Sequence, residues 1–193
     1  MLYTAVVYIF GSIPFAYIIT KMVKDIDIRF IGSGNPGTTN VFRTVGKVAG
    51  IITLGADVLK GFVPVYFATF IHRSSFYSII IALVAIFGHI FTIFLKFKGG
   101  KGVAVGFGAS LALAFLPSVI AFTVFCFVFV ISGYVVLGSI CAVITFPLLC
   151  YLLKYSRELM IFGFVMAAFV VYRHKANIKR LCKGVENRFK TLF

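Results

Sequence analysis

The stretch VAVGFGASLALAFLPSVIAFTVFCFVFVIS, Val103 to Ser132, decides how this chain is threaded. A helix needs about 20 apolar residues, at 1.5 Å rise each, to cross roughly 30 Å of hydrocarbon. Val103 to Ser132 is too long for one ordinary span and short for two, and only Pro117 breaks it. Working outward, Leu2 to Thr20, Val48 to Ile71 and Phe76 to Leu95 read as spans before it, and Leu137 to Leu153 and Leu159 to Tyr172 as spans after it. Basic residues collect on the cytoplasmic side of a membrane, which arbitrates between the two readings. A hairpin turning at Pro117 places the five basic residues of Lys21 to Lys47, the three of Lys96 to Lys101 and the seven of Arg173 to Lys190 on one side, leaving Arg73, Lys154 and Arg157 on the other. A single span would divide them almost evenly. The expectation is an all-α polytopic membrane protein with seven transmembrane helices, N-terminus outside and C-terminus cytoplasmic, forming one domain over residues 1–193.

Composition agrees. Of 193 residues 61% are apolar and 12% charged, yet 19 Lys and Arg against 5 Asp and Glu give a net charge of +14. A soluble domain is roughly half apolar and a quarter charged. A nucleic-acid binder needs its cations on a water-facing surface; here long apolar runs separate them. The partner implied is membrane lipid, with no nucleic acid. Cys126, Cys141 and Cys150 sit inside apolar runs and Cys182 in the basic tail, so no disulfide framework or metal-ligand spacing is present. MLYTAVVYIF has no cationic start and no cleavage-site pattern before Lys21, and reads as a retained span.

The hairpin topology puts three polar, glycine-containing segments on the cytoplasmic side. The first is GSGNPGTTNVFR, Gly32 to Arg43. Glycines let backbone N–H groups approach an anion, and hydroxyls with an arginine fork complete a phosphate cradle; a plain turn would use Gly, Asn and Pro but would not need the arginine. Gly32, Gly34 and Gly37 spell G-x-G-x-x-G with Asp57 twenty residues on. That copies a dinucleotide fingerprint, but the strand–helix–strand context it requires is missing.

The second segment is GHIFTIFLKFKGGKG, Gly88 to Gly102. Gly99, Gly100 and Gly102 give the backbone around Lys101 freedom to fold over a ligand, whereas Lys96 and Lys98 serve equally as positive-inside anchors. It is no Walker A loop, since Leu95 stands at the first glycine position and Gly102 at the magnesium ligand. His89, near the end of a span, is either a functional group or a histidine satisfied by a nearby carbonyl. Asp57 and Lys60, at i and i+3, read as a structural pair that neutralises itself within the membrane. The third segment, YRHKANIKRLCKGVENR from Tyr172 to Arg188, carries His174 and Asn177 on one helical face; alone it resembles a basic tail at an anionic leaflet. Ser139 opens the sixth span.

Taken together, GSIP at Gly11 to Pro14, GSGNPGTTNVFR, the D-x-x-K-G of Asp57 to Gly61, GH with FKGGKGVA, and RH-x-x-NI-x-RL-x-x-G-x-E at the tail resemble the bacterial acyl-phosphate:glycerol-3-phosphate acyltransferases, in that family's order and over nearly the whole chain. The resemblance implies a seven-helix inner-membrane enzyme of phospholipid synthesis. It implies transfer of an acyl group from acyl phosphate to the 1-hydroxyl of glycerol 3-phosphate, giving lysophosphatidic acid and phosphate, with no metal or cofactor. By motif position it implies catalytic roles for Ser33, His89, Lys101, His174 and Asn177, and substrate or phosphate binding by Gly34, Asn35, Gly37, Thr39, Asn40, Arg43, Gly99, Gly100 and Ser139. Gly133 and Val136 depart from the pattern, where members often carry arginine and serine. No H-x-x-x-x-D occurs, because Tyr77, Phe94 and Lys179 stand five positions after His72, His89 and His174; the motif of acyl-CoA-dependent acyltransferases is absent. The proton acceptor is a substrate phosphate oxygen or a histidine, with Ser33 positioning and forming no acyl-enzyme. The competing readings are a transporter or channel for phosphorylated metabolites, against which stands the lack of an inverted repeat, and a structural membrane subunit, which would not need three polar clusters on one side.

Overall fold

The computed structural model describes residues 2–72 and 75–189; Arg73 and Lys190, both counted in the charge distribution, lie outside them. The described residues are helical, without strands. The helices are α1 (Leu2–Ser12), α2 (Phe15–Lys24), α3 (Thr38–Thr44), α4 (Lys47–His72), α5 (Ser75–Ile90), α6 (Val103–Leu113), α7 (Phe115–Ser132), α8 (Val135–Leu152), α9 (Arg157–Arg173) and α10 (Lys175–Cys182), with short 3₁₀ turns at Ile28–Phe30 and Ile93–Leu95.

Among the described residues, five segments are long and apolar enough to cross a bilayer: Leu2–Lys24, Lys47–His72, Ser75–Leu95, Phe115–Ser132 and Val135–Leu152. Arg157–Arg173 with Lys175–Cys182, bent by 59°, makes a sixth if taken as one broken span. α6 is shorter; its 11 residues reach about 16 Å. Many large apolar side chains stay exposed on these helices, Phe70 at 74% and Phe127 at 66% among them. A water-soluble protein hides such groups; a lipid-facing surface displays them.

Two breaks differ from the sequence expectation. The long apolar stretch is interrupted at Ala114, whose backbone is non-helical (φ −152°, ψ 88°), and not at Pro117. Pro117 sits in the first turn of α7, where a missing N–H has no helical partner to lose. The first span is also not continuous, since helix ends at Ser12 and resumes at Phe15. Pro14 has no N–H, and it disfavours helical dihedrals at Ile13. The break leaves the Ser12 and Ile13 carbonyls to find partners elsewhere.

The chain forms two compact units, residues 1–113 and 114–193. In the first, α1 packs on α5 and α4 on α6 through reciprocal glycines. A Cβ on Gly61 would run into the Val105 carbonyl and one on Gly108 into the Val58 carbonyl; Gly11 meets Ala85 and Gly88 meets Tyr8 in the same way. Lipid offers no hydrophobic force between helices, so close backbone approach through small residues supplies the attraction. In the second unit, α8 packs on both α7 and α9, with Gly138 against Phe125 and Gly163 against Pro147.

Candidate functional site

Chemistry in the first unit gathers where two loops meet the broken end of α1. The first loop is built around Asn40, which is 2% exposed. Its Oδ1 accepts from the Ser33 N–H (3.0 Å), and its Nδ2 donates to the carbonyls of Ile28 (3.2 Å) and Ile31 (2.9 Å). Gly32 and Gly34 hold φ of +64° and +68°, which only glycine adopts without cost, and a Cβ at Gly32 would strike the Asn40 amide. Asn40 therefore grips the loop from beneath, leaving Ser33 exposed at its crest. The Ser33 hydroxyl accepts weakly from the Asn35 N–H (3.5 Å). Gly37 starts α3 as an extended N-cap, and Thr39 and Arg43, four residues apart, share one half-buried helical face. A small apolar core of Ala16, Ile28, Val41 and Ala49 fastens the loop to α2 and α4. Asp27 caps the 3₁₀ turn and pairs with Arg29 at 2.6 Å; that hydrogen-bonded guanidinium holds the carboxyl below the usual carboxylate range.

The second loop runs from α5 to α6. Lys96 and Phe97 both take left-handed backbone conformations (φ 53° and 62°), costing about 1 kcal/mol or more each outside glycine. The bonds Phe97 N–H to Thr92 O (2.8 Å) and Gly99 N–H to Ile90 O (2.9 Å) lock this shape, while the Thr92 hydroxyl donates to the Ser12 carbonyl (2.5 Å), one of those released by the Pro14 break. Gly99 and Gly100 are not loose, as the sequence suggested, but buried. A Cβ on Gly99 would strike the His89 carbonyl, and one on Gly100 the His89 Nε2. Glycine is needed there for closeness; of these three glycines, it is Gly102 whose backbone is left-handed (φ +84°). Gly102 accepts the first α6 hydrogen bond, from the Gly106 N–H (2.8 Å). Lys101, half-buried, thus stands at a helix N-terminus, whose first N–H groups have no intrahelical acceptor and suit an anion.

Beneath both loops lies a buried ionic cluster. Lys60 Nζ is 2.9 Å from Asp57 Oδ1, their side chains 1% and 2% exposed, and donates to the Ile13 carbonyl at 2.7 Å. His89 Nδ1 lies 3.8 Å from the same Asp57 oxygen. Thr38 sits beside the carboxylate without satisfying hydrogen-bond geometry. A narrow crevice reaches Asp57 and His89, lined also by Pro14, Phe15, Pro36, Gly99 and Gly100 among others. The i, i+3 spacing signalled the Asp57–Lys60 pair; nothing local signalled its tie to Ile13 or to His89.

In the second unit, Ser139 is 2% exposed and donates its hydroxyl to the Val135 carbonyl (2.8 Å). His174 lies at the bend between α9 and α10 with Nδ1 2.8 Å from the Val170 carbonyl. A carbonyl only accepts, so Nδ1 carries the proton, and in the neutral ring the lone pair falls on Nε2. Asn177 donates to Glu186 Oε1 (2.9 Å) and Arg180 to Glu186 Oε2 (2.8 Å). Glu186, 8% exposed, is an anchor the sequence reading passed over as part of a motif. Among the described residues no group of three or more His, Cys, Asp or Glu is placed to hold a metal.

The model of a protein family described as glycerol-3-phosphate acyltransferase matches residues 1–184. A glycerol-3-phosphate acyltransferase of Endomicrobium trichonymphae is 57% identical over 98% of this chain and 96% of its own length, and one of Desulforamulus reducens is 44% identical over 93% and 90%. Among solved structures, the glycerol 3-phosphate form of PlsY, an integral membrane glycerol 3-phosphate acyltransferase, superposes with a TM-score of 0.94 at 37% identity, covering 99% of this chain and 96% of that one. Its lysophosphatidic acid form superposes at 0.90 and 35% identity, covering 99% and 95%.

Proposed function

The chain belongs to the glycerol-3-phosphate acyltransferase family, integral membrane acyltransferases of phospholipid synthesis, and from that premise we propose that its acyl donor is an acyl phosphate. The observation that carries this is the Lys96–Gly102 loop, clamped by Ile90 and His89 and ending at Lys101 on the N-terminus of α6: a cradle for a phosphoryl group, with no H-x-x-x-x-D motif to serve an acyl-CoA. Arg43 and Thr39 on α3, with the exposed Ser33, suit the phosphate and hydroxyls of glycerol 3-phosphate. Gly34, Asn35 and Gly37 shape that loop, and Asn40 holds it.

In the proposed reaction, the glycerol 3-phosphate 1-hydroxyl attacks the carbonyl carbon of the mixed anhydride. The tetrahedral oxyanion collapses by breaking the bond to the phosphate oxygen. Inorganic phosphate leaves, lysophosphatidic acid forms, and the hydroxyl proton passes to a substrate phosphate oxygen or to a histidine. The donor is already activated, so fixing two anionic reactants together supplies much of the acceleration, and donors at the developing oxyanion and leaving phosphate supply more. Ser33 positions and forms no acyl-enzyme. Lys101 holds the leaving phosphate. His174 and Asn177 are assigned by motif position, as is Ser139.

The distribution of basic residues supports seven spans, α6 counted as a short one, in the inner membrane with the N-terminus outside and the C-terminus and the polar loops at the cytoplasmic face. Purified protein in detergent, given a long-chain acyl phosphate and labelled glycerol 3-phosphate, is expected to make lysophosphatidic acid. Product formed only from acyl-CoA would overturn the choice of donor, and a trapped acyl-Ser33 would overturn the direct mechanism.

A further inference from the structure

Helix α10 carries Asn177, yet none of its own residues is buried. It has 8 residues, short of the roughly 12–15 that an isolated helix needs, and it bends 59° away from α9. Its support comes from the segment that follows. Gly184, in left-handed backbone (φ +69°), turns the chain. The Gly184 and Val185 N–H groups donate to the Leu181 and Arg180 carbonyls (both 3.0 Å), and the Glu186 carboxylate accepts from Asn177 and Arg180. Two residues on, the same segment reaches the turn between α7 and α8. Arg188 Nε donates to the Ser132 carbonyl (3.0 Å) and the Phe189 N–H to the Gly133 carbonyl (3.0 Å). The Phe189 ring meets Phe129 of α7 edge-on, with centroids 5.5 Å apart. Carbonyls at the end of a helix have no intrahelical donor, and the helix dipole favours a cation beside them. Gly133, one of two positions where this chain departs from the family pattern, leaves room for the contact: its φ is +73°, and a Cβ there would strike Arg188 Cγ and Nε at 2.8 Å.

We propose that Arg188 is a positioning residue: clasped on the α7–α8 turn, it draws residues 184–189 into a strap that holds α10 in place, and so sets Asn177, with His174 at the α9–α10 bend, against the helix that carries Ser139. The Glu186 bonds return to α10 itself and cannot by themselves orient it. The Arg188 and Phe189 contacts tie it to a second pair of helices. Arg188 is exposed and acts through the backbone it holds. The proposal rests on His174 and Asn177 serving the acyl transfer, where an error of about 1 Å in placement costs on the order of 10²-fold in rate.

Two measurements on the purified full-length protein test the proposal. The first, amide hydrogen exchange, needs no substrate. In Arg188→Ala, residues 175–182 are expected to exchange about tenfold faster while α7, α8 and α9 keep their protection, the signature of a local opening that has lost one charge-assisted bond. Because the substituted side chain is exposed, the variant should melt within about 3 °C of wild type. The second is the initial rate with glycerol 3-phosphate and whichever of acyl phosphate or acyl-CoA the wild-type protein uses, taken well below the melting temperature. Arg188→Ala is expected to lower kcat/KM about tenfold, and Arg188→Lys, whose ammonium still reaches the Ser132 carbonyl, to recover most of the loss in both measurements. Slowed turnover with unchanged exchange in α10 would make Arg188 a direct substrate ligand and overturn the positioning role. A lysine variant as impaired as the alanine one would overturn the clasp. Asn177→Ala, run alongside, separates the underlying reading: wild-type turnover there would overturn the assignment of Asn177 and with it the catalytic half of the proposal, whereas a crippled Asn177→Ala beside an unimpaired Arg188→Ala would overturn the strap alone.

Discussion

Replacing Lys60 by Met tests how the buried charge at the centre of the first unit is balanced. Methionine keeps the length and packing of the lysine stem but removes every donor. Two groups then lose their partner. Asp57, 2% exposed, is left as a buried carboxylate, and removing one member of such a pair costs about 3–5 kcal/mol. The Ile13 carbonyl loses its 2.7 Å bond from Nζ but keeps a 3.1 Å bond from the Phe15 N–H, so its share stays near the low end of the 1–3 kcal/mol for an unmet polar group. The sum, about 4–6 kcal/mol, corresponds to a fall in melting temperature of roughly 8–24 °C at about 2–4 °C per kcal/mol for a chain of this size. Adding Asp57→Asn removes the stranded charge, so the double variant should recover most of the loss and melt within about 10 °C of wild type. Size-exclusion profiles after heating in detergent read both. Lys60→Met melting within about 2 °C of wild type, or Asp57→Asn deepening its loss, would refute the idea that the pair is held by mutual neutralisation in a dry interior.

Other perturbations follow from single contacts. Gly108→Ala pushes a Cβ into the Val58 carbonyl on α4 and should destabilise by about 1–3 kcal/mol; Gly55→Ala, with open space around it, should be neutral or gain up to about 1 kcal/mol, and thermal shift separates the two. Glu186→Ala releases both Asn177 and Arg180 and should cut turnover at least about tenfold, while Arg180→Ala, on the exposed side of the same pair, should cost less; equal effects would deny Glu186 its role as anchor. Asp27, held below the usual carboxylate range by Arg29, contributes stability that is full above the ordinary carboxylate pKa of about 4 and is lost as pH falls through its lower folded value. Asp27→Asn should therefore flatten the acid side of a stability-against-pH curve, and an unchanged curve would count against the link.

Five of the seven expected spans, or six with the bent pair α9–α10, were legible because apolar runs of the required length are a property of the chain alone, and so were the polar loops, since glycines, hydroxyls and cations stand out against them. The breaks were not equally legible. Pro117 looked like the turn, yet a proline in the first turn of a helix costs nothing, and the helical run is interrupted at Ala114, where no residue type announces it. Pro14, inside an apolar run, did break the first span. Asn40 read as a phosphate ligand by its place in the motif, but its amide is bonded on both sides to the loop backbone.

By itself, the sequence carried the reading of an integral membrane acyltransferase, because hydrophobic length, charge sign and motif order are written in one dimension. What tertiary structure decided is how those residues are held. Lys60 and Ile13 are 47 positions apart in sequence, and Gly61 and Gly108 find the opposing helix only when α4 and α6 are in contact. Of the glycines before Lys101, Gly100 has no room for a Cβ because the His89 ring lies against it, and Gly99 because the His89 carbonyl does. Such contacts depend on distance in space, which no spacing along the chain encodes.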